Sequence, residues 1–138
     1  MKSLFAKHPR ISFWAVVAVS VAISWIARAT FIHNGVWNQG VAFSFRLPLG
    51  FIYFLSSLIL AALIYWQLTI PKANWVRSLG VGLIVGGGIA NLLDRLLNYG
   101  QVWDYIPFLR IGHFNLADIL VSCGLATLLY YWWKEDAR

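Results

Sequence analysis

Four long apolar stretches dominate the chain, roughly over 11–32, 49–68, 75–97 and 115–133, and short segments rich in charge, Pro and Gly separate them. Each is close to the 20 or so apolar residues that carry a helix across a bilayer. Hydrocarbon offers no partner to a backbone N–H or C=O, so each stretch is predicted to be helical. The expected fold is all-α: a four-helix transmembrane bundle in one domain over 1–138, with short connectors. The first stretch follows Lys2, Lys7 and Arg10 and has the outline of a signal peptide. It is long, however, and no small-x-small cleavage site closes it before Arg28, so an uncleaved first span is expected.

Charge adds an orientation. Lys2, Lys7 and Arg10 precede the first span, Lys72 and Arg77 lie between the second and third, and Lys134 and Arg138 follow the fourth. The other side has only Arg46 and Arg110 in its connectors. Basic residues stay on the cytoplasmic side, which puts both termini in the cytoplasm and turns the connectors around 31–48 and 98–114 outward. The net charge of +6 thus reads as topology, with no nucleic-acid partner implied. Only 12% of the residues are charged, against about 25% in a soluble domain. The single Cys123 excludes an intrachain disulfide, and its depth in the fourth span predicts a buried thiol. Trp and Tyr near the span ends fit interfacial belts.

The candidate chemistry lies between Gly86 and Asp118. Of five acidic residues, Asp94, Asp104 and Asp118 fall here, beside Asn91 and Arg95. A charged residue at the bilayer centre costs about 2.5–3.5 kcal/mol on insertion scales, so such residues usually have a function. Asn91 lies three residues from Asp94 and four from Arg95, on neighbouring positions of one helix surface. An Asp94–Arg95 network bracing the bundle is expected there. Gly82, Gly86, Gly87 and Gly88 suit close helix packing in lipid. Asn98-Tyr99-Gly100 reads as a helix stop with Gly100 at the cap. Asn115 and Asp118 suit the start of the fourth helix as N-cap and first-turn acid.

Asp104 and Asp118 sit on one face, joined by a short connector. Two adjacent carboxylates do not both ionise cheaply, so one keeps a proton near neutral pH. That is aspartic-protease chemistry: one carboxylate activates water while the other protonates the substrate carbonyl. The dipole of the fourth helix favours a charged Asp118, which makes Asp118 the base and Asp104 the acid. Other schemes fit less well. Ser44 faces outward while Lys2, Lys7, Lys72 and Lys134 lie inward, so a Ser–Lys pair lacks its base. His33 and His113 are both on outward connectors, but there is no HExxH and no metal site is expected.

Four motifs in order resemble the type II (lipoprotein) signal peptidase family. They are Asn38-Gln39-Gly40-Val41-Ala42-Phe43-Ser44, Ala90-Asn91-Leu92-Leu93-Asp94-Arg95, Gly100-Gln101-Val102-Trp103-Asp104-Tyr105-Ile106 and Phe114-Asn115-Leu116-Ala117-Asp118. The resemblance implies removal of signal peptides from prolipoproteins, before a diacylglyceryl-modified Cys, at the outer face of the bacterial inner membrane. It implies no cofactor, lipid as a partner, and inhibition by globomycin-type peptides. It makes Asp104 and Asp118 the catalytic pair, with Asn38, Gly40, Asn91, Asp94, Arg95 and Asn115 supporting it or contacting substrate. Asn38 and Asn115 are expected to hydrogen-bond the substrate backbone.

The chain departs from the family pattern in places. The family's first span ends in Asp-Gln-x-Ser/Thr-Lys, where this chain has Ser24-Trp25-Ile26-Ala27-Arg28. The segment from Ala29 to Trp37 is short where the family has a long cradle, the Asp104–Asp118 connector is short, and Ala90 and Trp103 replace Gly and Val. Two other classes fit the same features: a reduced relative that binds lipoproteins or a membrane partner without cutting, and a small proton-coupled transporter using Asp94 or Asp118.

Overall fold

The computed structural model describes residues 8–40, 46–69, 74–109 and 112–136. Ala42, Phe43 and Ser44 of the Asn38 motif lie outside the described residues, as do Lys2, Lys7, Lys72, Arg110 and Arg138. The elements in chain order are α1 (Pro9–Thr30), β1 (Val36–Asn38), α2 (Leu49–Thr69), α3 (Trp75–Leu97), β2 (Val102–Asp104), β3 (Ile106–Phe108), β4 (Gly112–Phe114) and α4 (Leu116–Asp136). All four helices are long and apolar enough to cross a membrane. The fold is a four-helix transmembrane bundle.

Helix α3 is the centre of the bundle. More than half of its most apolar stretch is buried, against a quarter or less in each neighbour's except α1, at 28%. It packs most heavily on α4 and α1, and α2 leans chiefly on α3. The stripe Phe13, Val17, Ser20 and Ser24 of α1 recurs at helical spacing and faces α3. Two glycines allow the close approach. A Cβ on Gly86 would collide with Ser20 of α1. A Cβ on Gly87 would lie 2.5 Å from the Ala117 carbonyl oxygen of α4 and 2.9 Å from Val121. Tight backbone contact of this kind replaces the hydrophobic driving force that helices lack in lipid.

Helix ends follow from local chemistry. Pro9 opens α1, where its missing N–H costs nothing. The Asn74 side chain caps α3 by accepting from the Arg77 N–H at 2.9 Å. At the other end of α3, Gly100 N–H donates to the Arg95 carbonyl at 2.8 Å, which closes a Schellman turn. Tyr99, with φ 54°, occupies the left-handed position one residue before the expected Gly100, which is itself at φ 88°. Tyr99 is 97% exposed, so its side chain points into the surroundings of the bundle.

The connectors hold structure that the apolar pattern did not announce. β1 and β2 pair antiparallel with Val36 opposite Asp104 and Trp37 opposite Trp103, and β3 and β4 form an antiparallel hairpin. The Trp37 and Trp103 rings meet edge to face at 4.9 Å. The Trp103 indole N–H donates to the Phe31 carbonyl at 3.0 Å. These short ladders tie the end of α1 to the loop that carries Asp104.

Candidate active site

The site begins with Asp94, one turn from the end of α3. Its side chain is 7% exposed and pairs with Arg28 of α1 at 2.7 Å (Nε to Oδ1). The expected Asp94–Arg95 pairing is absent. Adjacent helical residues point about 100° apart, so the two charges face different neighbours. The remaining lone pairs of Asp94 accept from the Asn98 side chain at 2.8 Å and from the Trp103 backbone N–H at 2.8 Å. A buried carboxylate with three such partners is a clamp. It fixes α1, the end of α3 and strand β2 one residue before Asp104.

Arg95 looks the other way. Its guanidinium donates to the Gly40 carbonyl at 2.9 Å and to the Asn91 carbonyl of its own helix at 3.4 Å. Gly40 N–H in turn donates to the Asn38 side-chain oxygen at 2.8 Å. Asn38 and Gly40 are therefore drawn to the end of α3 although about 55 residues separate them from it.

Asp104 sits at the end of β2 and is 2% exposed. Both of its oxygens accept from amides, Oδ2 from Asn38 at 2.9 Å and Oδ1 from Asn115 at 2.8 Å. Burial pushes its carboxyl above the ordinary carboxylate value. The donations from Asn38 and Asn115 oppose that rise, the charge of Asp118 adds to it, and Arg95 subtracts. The neighbouring Tyr105 hydroxyl accepts from the Leu116 N–H at 3.1 Å, and its ring stacks on Phe31 at 5.2 Å. Burial raises the phenol too, so Tyr105 stays neutral.

Asp118 lies in the first turn of α4. Asn115 is the N-cap: its side-chain oxygen accepts from the Asp118 N–H at 3.0 Å, and Asp118 Oδ2 accepts from the Asn115 N–H at 3.1 Å. This is a capping box with Asp in the usual Glu or Gln position. Asp118 Oδ1 accepts from Asn91 at 2.8 Å, and the Asn115 amide also donates to Asn91 Oδ1 at 3.0 Å. Asn115 thus touches both carboxylates, Asp104 with its side chain and Asp118 with its backbone. The side-chain amides of Asn38 and Asn115 both donate to Asp104. Asp104 and Asp118 both line a cavity of about 450 Å³ between α2, α3 and α4, with Asn91, Arg95 and apolar walls such as Leu60 and Leu92.

One other expectation, the buried thiol, is overturned. Cys123 is exposed on the outer face of α4, because the next residue, Gly124, is the one that turns inward against Gly80. His33 and His113 are both exposed, and among the described residues no group of three metal-ligating side chains occurs. Arg28 and Tyr105 are the supporting residues that sequence reasoning missed. An unexplained cation within an apolar span was the available signal for Arg28.

The fold and site define a class, a small membrane-spanning helical bundle with two carboxylates on the wall of one cavity. Residues 8–134 match the family described as signal peptidase (SPase) II. A lipoprotein signal peptidase of Halothermothrix orenii is 34% identical over 103 residues, covering 73% of this chain and 69% of that protein. One from Synechocystis is 32% identical over 146 residues, covering 91% and 88%. A solved bacterial membrane enzyme shares the fold with a TM-score of 0.70 at 23% identity, over 96% of this chain and 91% of that one. The chain belongs to the signal peptidase II family, a family of membrane peptidases that act on lipoproteins.

Proposed function

We propose that the protein is an aspartic endopeptidase that removes the signal peptide from diacylglyceryl-modified prolipoproteins, cutting before the lipidated Cys. The observation that carries this reading is the shared partner: one residue, Asn115, holds Asp104 and Asp118 on the same cavity wall. In this reading Asp104, whose carboxyl burial raises, is the acid, and Asp118, in the first turn of α4, is the base. A water between them gives a proton to Asp118 and attacks the scissile carbonyl, whose oxygen takes the Asp104 proton. The gem-diol collapses as Asp118 gives its proton to the departing amine and one hydroxyl returns a proton to Asp104, which leaves a carboxylic acid and restores both groups. The pair acts as one titrating unit.

The apolar cavity suits the lipid part of such a substrate. Each buried CH₂ of an acyl chain contributes about 0.8 kcal/mol, so two chains deliver the scissile bond to the membrane edge. Arg10, Arg77 and Lys134 lie at the bundle end away from the dyad. That asymmetry supports an inner-membrane protein with cytoplasmic termini and an outward-facing site. Globomycin-type peptides are the expected competitive inhibitors.

The test is cleavage of a lipidated prolipoprotein by purified protein in lipid or detergent, with globomycin as control. Asp104→Asn and Asp118→Asn should each abolish cleavage while chromatographic behaviour and helicity stay unchanged. Full residual activity in either variant removes that residue from the dyad, and proton-coupled flux in liposomes without cleavage would favour a carrier instead.

A further inference from the structure

A second recess, of about 180 Å³, opens on the connector side of Asp104. It shares Asn38, Asp104 and His113 with the larger cavity, so the two meet at Asp104. Its character differs. The larger cavity runs along apolar helix faces, whereas the smaller is walled by β1, Gly112, His113 and Arg46. We infer that this recess is a subsite for an acidic side chain of the substrate, held by Arg46 and His113.

The electrostatics of the wall favour that occupant. Arg46 is exposed at the recess, and no carboxylate of a described residue pairs with it. One further guanidinium stands behind the lining: Arg95 donates to the Gly40 carbonyl at 2.9 Å. The one carboxylate in the lining, Asp104, has both oxygens engaged by amides. His113 offers a ring N–H in either protonation state. With about 30 Å³ per water, the volume holds one short acidic side chain and a few waters.

The position in the substrate follows from its chemistry, and here the inference rests on the proposed peptidase reading. The lipid anchor occupies the apolar cavity, and the signal peptide ahead of the scissile bond is itself apolar. The polar segment after the lipidated Cys is left to cross the connectors. An Asp or Glu in its first two residues would meet Arg46 and His113.

Matched lipopeptides carrying Asp, Asn or Lys at each of those two positions test this, read as kcat/KM and separately as Kd for the intact protein in micelles. Asp should be favoured over Lys by about three- to tenfold at one position, less so at high salt. Arg46→Glu should invert the order, and His113→Ala should narrow it. Equal values for the three peptides on the unaltered protein, or an unchanged preference in Arg46→Glu, overturn the subsite. If no peptide is cut, the peptidase reading fails, while the order of Kd values still decides the subsite.

Discussion

The packing of α4 on α3 sets where Asp118 stands, and one methyl group should be enough to move it. In Gly87→Ala the new Cβ would lie 2.5 Å from the Ala117 carbonyl oxygen, a separation that real Cβ atoms essentially never show. The obstacle is backbone, one residue before Asp118, so no rotamer change relieves it. The helices must part by roughly half an ångström or more, and a misplacement of about 1 Å at a reacting group can cost 10²-fold in rate. The expected result is a loss in kcat of about 10- to 100-fold, together with overpacking destabilisation of about 1–3 kcal/mol. Gly88→Ala is the internal comparison. Its Cβ would meet only the Cδ2 of Leu60 at 2.7 Å, the free end of a side chain on α2. Rotation of that leucine relieves the contact and leaves α4 in place, so kcat should fall by no more than about threefold. The assay is lipopeptide cleavage under saturating substrate, with thermal unfolding in the same detergent. Equal kcat values for the two variants would refute the reasoning, because the positional argument rests on which neighbour each methyl group strikes.

Two further outcomes are expected. Asn38→Leu removes a donor that favours charged Asp104, so a carboxyl already raised by burial should rise further. The active form needs the Asp104 proton, and activity is lost as pH climbs through that group. The alkaline limb of kcat/KM should therefore move to higher pH, and a limb that stays put or moves down would contradict the assignment of the proton. Arg28→Met leaves Asp94 buried without its cation and should lower stability towards the lower end of about 3–5 kcal/mol, since Arg28 is 23% exposed. Thermal unfolding measures this, and an unchanged midpoint would mean that Asn98 and Trp103 alone satisfy Asp94.

The four spans could be read from apolar length alone, and Asp104 and Asp118 stood out because carboxylates are scarce and costly in such a chain. The partners of those acids were less legible. Adjacency in the sequence pairs Asp94 with Arg95, yet its partner Arg28 is 66 positions away and is brought near by the crossing of α1 and α3. That crossing depends on Gly82 and Gly86, whose contacts cannot be assigned without knowing which helix each faces. Cys123 was misjudged for a related reason. Helix α4 is apolar all round, and a membrane span has no polar outer face to reveal which side is inside. Strands β1 to β4 are three residues each, too short for alternation to register. Trp37 against Trp103, with Asp94 holding the Trp103 N–H, supports the β1–β2 pair, and Phe108 against Phe114 supports β3–β4.

Asn115 is one residue bearing two duties. It ends the connector by capping α4, and it spaces the two acids. Fraying of that helix start therefore loosens the cleft as well, whereas Asn115→Ser would keep the cap acceptor and lose only the amide that reaches Asp104. The chemistry inherits its rigidity from a helix cap, and the first turn of the last span is where heat should first silence the protein.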